Sequence, residues 1–333
     1  MSSSAAKRYS LAGRGLLFAT ILAAYLFTSL YLPSTLARGA GVGNAAPVAG
    51  LLSDLPPLID QPVPPNLTPS IATAPNDRAT PYKDRCHTQQ NLTASIAPCL
   101  YGDLTSKTTI VLFGDSHALA WFPAIERLAT LKHWKLLSLT MSSCWPANMP
   151  AWNGTTNMLM TNCSVWRDAT LKRVIATKPA MIFISGTRGF QTTNSRGEVA
   201  MGDERTAIWQ AGIKTTLASL TKASKKVIYL ADVPHSFMSV PDCLDAFPES
   251  ILQCATPTSI AFDPSWTDLE RQAAVDAGVV FVDPTRWICT TEPCSPISGN
   301  MVIYIDAGHM TATFSRSLEP KLWRTISGAN PGN

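Results

Sequence analysis

Charge is scarce in this chain. Only 15% of its 333 residues are Asp, Glu, Lys or Arg, and 27 basic against 23 acidic residues leave a net charge of +4. No stripe of Lys or Arg stands out, so the electrostatic footprint of a nucleic-acid binder is missing. There are five histidines, no two at metal-ligand spacing, and no Cys-x-x-Cys occurs among the eight cysteines. A zinc site is therefore not expected, nor any other metal or cofactor. No internal repeat is evident, which argues against a solenoid. With 46% hydrophobic residues, however, the chain has ample material for a core.

Part of the positive charge is concentrated at the start. Lys7, Arg8 and Arg14 precede an apolar run over 15–32, interrupted only by threonines, a serine and tyrosines. Such a run is near the minimum for a bilayer span and long for the core of a signal peptide. The preceding basic residues place 1–14 in the cytoplasm, 15–32 in the membrane as a signal anchor, and the remainder outside. Ser34-Thr35-Leu36-Ala37 offers small residues to a signal peptidase, so a cleaved signal and a secreted product is the competing reading. Both export everything that follows.

The cysteines agree with export. All eight lie beyond the N-terminal region and fall into local pairs: Cys86 with Cys99, Cys144 with Cys163, Cys243 with Cys254, and Cys289 with Cys294. In an oxidising compartment this reads as a disulfide framework, although eight cysteines allow about 105 pairings. Residues 33–81 are rich in Pro and Ala with no hydrophobic period, and read as an extended extracytoplasmic linker. A single domain over 82–328 and a short tail at 329–333 follow.

Within that domain short apolar runs at 109–113, 135–140, 180–185, 226–231, 279–283 and 301–305 alternate with helical patterns. The latter occupy 118–131, 165–177, 204–223, 266–277 and 311–325. Continuous apolar strands alternating with helices predict an α/β fold, a three-layer α/β/α sandwich with a mainly parallel sheet. Ligands of such sheets bind beyond the carboxyl ends of the strands. There the first run ends in Gly114-Asp115-Ser116-His117, and the last leads into Asp306-Ala307-Gly308-His309. A serine on a strand-to-helix turn, an imidazole that titrates near pH 7 and a carboxylate to orient it are the minimum kit for acyl transfer through serine.

These motifs resemble the SGNH/GDSL hydrolase superfamily, and more closely the exported SGNH-like domains of bacterial membrane O-acyltransferases of the acyltransferase-three family. The shared features run from Cys99-Leu100-Tyr101-Gly102-Asp103 through Phe113-Gly114-Asp115-Ser116-His117-Ala118, Trp121-x-Pro123-Ala124 and Ser142-Ser143-Cys144. They continue through Asp232-x-Pro234 and Val240-Pro241-x-Cys243 to Asp306-x-x-His309. The resemblance implies a flavodoxin-like sandwich with Ser116 as nucleophile, His309 as base and Asp306 as its orienting acid. The backbone N–H groups of Ser116 and of the Ser142-Ser143 loop would form the oxyanion hole. SGNH hydrolases usually carry a Gly in that second block and an Asn after the third strand. Neither is recognisable here; the third strand leads into Ser185-Gly186-Thr187-Arg188, making Arg188 a candidate donor. His235 is a candidate for the acceptor site, whereas His117 and Asp115 read as structural. Trp121, Trp145 and Trp152 read as core, with an exposed indole at the rim suited to stacking on a sugar.

The implied function is transfer of an acyl group, most simply acetyl, to a hydroxyl of an envelope glycan or glycolipid. The acyl group would come from a separate multi-span membrane acyltransferase or another donor. An esterase with the same triad and a non-catalytic glycan-binding or scaffold domain are the alternatives.

Overall fold

The computed structural model describes residues 54–95 and 98–328. The expected cytoplasmic segment, the anchor, the linker as far as residue 53 and the tail lie outside the described residues. Among those described, no helix is long and apolar enough to cross a membrane.

The described residues form eleven strands in chain order: β1 (His87–Thr88), β2 (Leu100–Gly102), β3 (Thr109–Gly114), β4 (Lys135–Met141), β5 (Trp152–Asn153), β6 (Met158–Leu159), β7 (Met181–Ser185), β8 (Val227–Leu230), β9 (Val280–Val282), β10 (Ile297–Ser298) and β11 (Met301–Val302). The main sheet runs β1-β4-β3-β7-β8-β9 with every pairing parallel, and β2 adds an antiparallel partner to β4. The strand order reverses at β3, so the carboxyl end of β3 is the topological switch point where such sheets open a crevice.

Alternation along β3 shows why both faces are covered. Ile110 and Leu112 join one core with the helices Ser116–Ala120, Phe122–Leu131 and Glu319–Ser327. Val111 and Phe113 join a second core with Trp166, Trp209 and Trp266 from the helices Thr161–Thr177, Gly202–Ala223 and Pro264–Asp276. All four β3 side chains are fully buried. Truncating Phe113 to Ala at such a site costs about 3–5 kcal/mol. The expected three-layer α/β/α sandwich is what forms.

Three sequence expectations are corrected. The run 301–305 does not join the sheet: only Met301–Val302 is strand, paired antiparallel with Ile297–Ser298. The chain after β9 is spent on the short helix Thr285–Ile288, the Cys289–Cys294 loop and the hairpin itself. No crossover helix is left to bring a parallel strand back. The patterns at 118–131 and 311–325 each break into two helices, Ser116–Ala120 with Phe122–Leu131, and Ala312–Ser317 with Glu319–Ser327. Pro123 and Pro320 sit in the first turn of each second helix, where a missing N–H is tolerated and the preceding helix cannot continue.

The third correction concerns the linker. From Asp54 to Pro81 the chain lies along the domain as a strap. Leu58 N–H donates to the Glu292 carbonyl, Val63 to Pro248 and Thr68 to Asn300, at 3.0, 2.8 and 2.7 Å. Leu67, Ala74 and Ala79 are buried in the first core. A proline-rich segment with no hydrophobic period still satisfies its backbone by pairing with loops, which pattern reading does not detect. At its end Asp77 caps a helix distant in sequence: its carbonyl accepts from Ala312 N–H at 2.7 Å and its carboxylate from Thr313 N–H at 2.9 Å.

The four disulfides pair as expected, Cys86–Cys99, Cys144–Cys163, Cys243–Cys254 and Cys289–Cys294. No cysteine is left free. A native disulfide typically contributes about 2–4 kcal/mol, and disulfides of this kind form and persist in oxidising compartments. The strap gives a direct test: Asp77→Ala should lower stability by about 1 kcal/mol, the usual worth of a side-chain cap, read from a urea unfolding curve.

Candidate active site

The turn after β3 is built by one glycine and one buried acid. Gly114 has φ +151, and a methyl group there would overlap the Ser185 carbonyl oxygen on β7 and lie 2.7 Å from the Ala118 side chain. The backbone can pass that close only without a Cβ. Asp115 is fully buried. Its Oδ1 accepts from the N–H groups of His117 and Ala118 at 2.8 and 3.3 Å, and its Oδ2 from Thr187 N–H at 2.9 Å. It therefore caps the helix and ties the β7 loop to the turn. Burial pushes its carboxyl up from the usual range, against the pull of His117 and these N–H groups. Ser116 follows as the first helical residue, at the open end of the sheet.

The C-terminal loop brings its pair to the same place. Ser236 N–H donates to the Ala307 carbonyl, and Ile305 N–H to the His309 carbonyl. Asp306 Oδ1 accepts from Gly308 and His309 N–H, both at 2.8 Å, and Oδ2 from His309 Nδ1 at 2.9 Å. With its proton on Nδ1, His309 presents the Nε2 lone pair to the Ser116 hydroxyl, 2.9 Å away. Burial raises the Asp306 carboxyl, but the hydrogen bond and charge of His309 with two N–H groups outweigh it and hold Asp306 well below the usual carboxylate range. Ser116, His309 and Asp306 thus stand in the order that proton withdrawal from a serine requires.

Beside them lies an arrangement that sequence reading missed. His117 turns back toward the sheet end and donates from Nδ1 to Asp232 Oδ1 at 2.7 Å. His235 donates from Nε2 to Asp232 Oδ2 at 2.9 Å. The His117 ring lies 4.5 Å from that of His309 and 5.1 Å from that of His235, centroid to centroid. Gly308 leaves room for this stack, since an added Cβ would sit 3.3 Å from His117 Cε1. The available signal was Asp232 at the end of β8, level with Ser116 across the sheet. Its partner could not be identified without the tertiary fold.

These three side chains are close enough to hold a cation, yet Asp232 is fully used. Its Oδ1 also accepts from Val233 N–H and its Oδ2 from Arg188 N–H, both at 2.9 Å. Four N–H groups on two oxygens leave no lone pair for a metal. The donor set instead suits an ion pair. Burial alone would raise Asp232, but the two imidazoles hold it well below the usual range. Burial alone would lower His117; the charge and hydrogen bond of Asp232, helped by Asp115 and Asp306, push it up to about 9.

Ser116, His117 and His309 open onto one cavity of about 340 Å³, shared with Ser143, Trp152 and Thr187. A larger groove of about 650 Å³ between the helices Gly202–Ala223 and Pro264–Asp276 shares none of its lining. The expected oxyanion donors sort as follows. The N–H groups of Ser116 and Ser143 meet no acceptor among the described residues, and Ser143 takes left-handed backbone, φ 54. Ser142 N–H is committed to the Thr88 carbonyl at 2.9 Å. Arg188 is corrected: its guanidinium donates to the Ala261 carbonyl at 2.6 Å and does not line the cavity. His235 stands behind His117 at the rim, also outside the cavity lining. Trp121 and Trp145 are buried, whereas Trp152 is half-buried on the cavity wall.

The His117–Asp232 pair makes stability pH-dependent. With His117 raised from its ordinary 6.5 to about 9, its contribution is complete below about pH 6.5 and is lost as pH rises through about 9. The shift corresponds to roughly 3 kcal/mol. Urea unfolding midpoints of the native protein should fall between pH 7 and pH 10, and H117N should remove most of that fall.

The family profile for the SGNH domain described as fused to AT3 domains matches residues 85–324. No curated protein sequence matches the chain. Among solved structures, the periplasmic domain of a lipopolysaccharide acetyltransferase from Salmonella ser. Paratyphi A superposes with a TM-score of 0.53 at 15% identity, over 71% of this chain and 92% of that one. A catalytic mutant of an acetylxylan esterase from Geobacillus stearothermophilus gives a TM-score of 0.38 at 12% identity, over 67% of this chain and 96% of that one. At 15% identity the likeness to the first of these is one of fold alone. The profile match extends from the first disulfide to the last helix, across the turn that carries Ser116 and the loop that carries His309, and the chain belongs to the SGNH domain family, in the group described as fused to AT3 domains.

Proposed function

We propose that this domain is an extracytoplasmic serine O-acyltransferase that moves an acetyl group onto a hydroxyl of an envelope glycan through an acyl-Ser116 intermediate. The observation that carries the reading is the continuous chain Ser116 Oγ, His309 Nε2, His309 Nδ1, Asp306 Oδ2, with both contacts at 2.9 Å. Ser116 Oγ attacks the carbonyl carbon of the donor while His309 Nε2 takes its proton. The tetrahedral anion is received by the N–H groups of Ser116 and Ser143. On collapse, the bond to the leaving group breaks and His309 returns the proton to it. A sugar hydroxyl then attacks acyl-Ser116, gives its proton to His309, and leaves as the ester when Ser116 regains the proton. Asp306 holds the tautomer and balances the imidazolium in both halves.

Support for a glycan acceptor comes from the cavity wall, where the Asn153 and Gln191 amides and the Thr155 hydroxyl surround the half-buried Trp152. Amides and hydroxyls with aromatic faces from Trp145, Trp152 and Phe190 match the alternating hydroxyls and C–H face of a sugar. The family's description as fused to AT3 domains supports a membrane acyltransferase as the source of the acyl group. Tethering through 15–32 would keep the two at one membrane surface.

Hydrolysis by the same residues is the second reading. The side chains of His309 and Asp306 are 26% and 41% exposed, so water also reaches the base. Intact-mass spectrometry after incubation with p-nitrophenyl acetate separates the two. The native protein should gain one acetyl group and Ser116→Ala none, with discharge at least about tenfold faster when a glycan acceptor replaces buffer. Rapid turnover indifferent to glycan would mean an esterase, and neither adduct nor turnover in the native protein would remove Ser116 as nucleophile.

A further inference from the structure

His117 is the side chain at the site that the triad leaves unused. It is anchored from behind by Asp232, lies against the His309 ring, and is only 9% exposed at its side chain. Its Nδ1 proton is committed to Asp232. Its Nε2 meets no hydrogen-bond partner among the described residues, yet it is not among the buried polar atoms left without one. That nitrogen therefore keeps accessible surface, and the residue lines the cavity it shares with Ser116, Ser143 and His309.

We propose that His117 is a cationic hydrogen-bond donor of the oxyanion hole, its Nε2–H directed at the oxygen that becomes negative when Ser116 attacks an acyl carbonyl. The inference rests on Ser116 being the nucleophile, as proposed above. Two backbone N–H groups are otherwise the donors at this position, since Ser142 N–H and the Arg188 guanidinium are bound elsewhere. A charged donor that is itself only 9% exposed is worth more than a neutral one, and it is fixed before the reaction begins. Asp232 does the fixing: with four N–H donors on its two oxygens it cannot rotate without breaking several of them.

The charges around His117 permit a cation there. Asp115 faces it from its own turn, Asp232 and His235 from the loop after β8, and Asp306 and His309 from the C-terminal loop. Arg188, after β7, turns its guanidinium away to Ala261 and offers Asp232 only its N–H. Protonation of His309 during attack adds a like charge beside His117, and the carboxylates of Asp306 and Asp232, one on each imidazole, offset it. Loss of the His117 proton would come from Nε2, because Asp232 retains the one on Nδ1. A donor aimed at the oxyanion would then become a lone pair aimed at it.

The test is the rate of Ser116 acylation by p-nitrophenyl acetate in H117N and the native protein, followed by intact mass from pH 6 to pH 10. The Asn amide replaces Nδ1 on Asp232 and leaves nothing at the Nε2 position. The acylation rate constant should fall about 10²-fold with half-saturation changed less than about twofold, the signature of a lost transition-state contact. The native profile should decline on the alkaline side with a midpoint near pH 9, and H117N should lack that decline. Acylation of H117N within about threefold of native, on the same alkaline profile, would overturn the role of His117 and leave Ser116 in place. Should H117N fail to fold, the native profile decides, and a flat alkaline side overturns the proposal. Absence of both a Ser116 adduct and turnover in the native protein overturns both readings together.

Discussion

Two carboxylates buried at the carboxyl end of the sheet organise everything around them. Removing a carboxylate from water costs several kcal/mol even after the protein relaxes, and only a full set of donors makes it tolerable. Asp115 meets that demand with three backbone N–H groups drawn from its own turn and from the loop after β7. Asp232 meets it with two imidazoles and two backbone N–H groups, one of them from that same β7 loop. The loops after β3, β7 and β8 are therefore locked to one another through buried charge. A loop that moved would strand a carboxylate without partners, which is a steeper penalty than any one hydrogen bond is worth.

Electrostatic roles at the site separate by partner. Asp306 sits on the His309 imidazole and stays ionised because that ring and two N–H groups favour its anion over burial. Asp232 sits on His117, one residue beyond Ser116, and the same competition favours the proton on the imidazole. Two histidines 4.5 Å apart thus receive different tasks. One is hydrogen-bonded to Ser116, and the other to a buried carboxylate that favours its protonated form. Only the second is almost wholly enclosed, where a neighbouring charge counts for more.

Covalent and strap-like restraints hold the frame in which this occurs. Cys144–Cys163 closes the loop that follows the Ser142-Ser143 pair, and Cys243–Cys254 closes the one beyond His235. The strap from Asp54 to Pro81 adds hydrogen bonds to the loops at Pro248, Glu292 and Asn300 and caps the helix that follows His309. Both devices act on irregular segments, which bury little apolar surface of their own and depend on fixed neighbours for order.

The fold class was legible because its signal is local. Apolar runs of five or six residues between helical periods specify a doubly covered parallel sheet, and β3, β4, β7, β8 and β9 all coincide with such runs. Ser116, His309 and Asp306 were legible for a similar reason: Gly-Asp-Ser at a strand end and Asp-x-x-His in a loop are each short segments whose geometry is largely their own. The disulfides followed from pairs close in sequence. The run at 301–305 carried the strand pattern without a way back to the sheet, and the proline-rich strap carried no pattern although its backbone is well bonded. His117, Arg188 and Ser142 depended on which loop lies next to which. Asp232 is 115 residues from His117 in sequence, and only the assembled sheet brings the two within 2.7 Å. By itself the sequence determined the layers and pointed to the cross-links and to Ser116, His309 and Asp306 as a group. The tertiary structure decided which charges surround them, because the field at a buried group is set by neighbours in space, and those come from every loop at the end of the sheet.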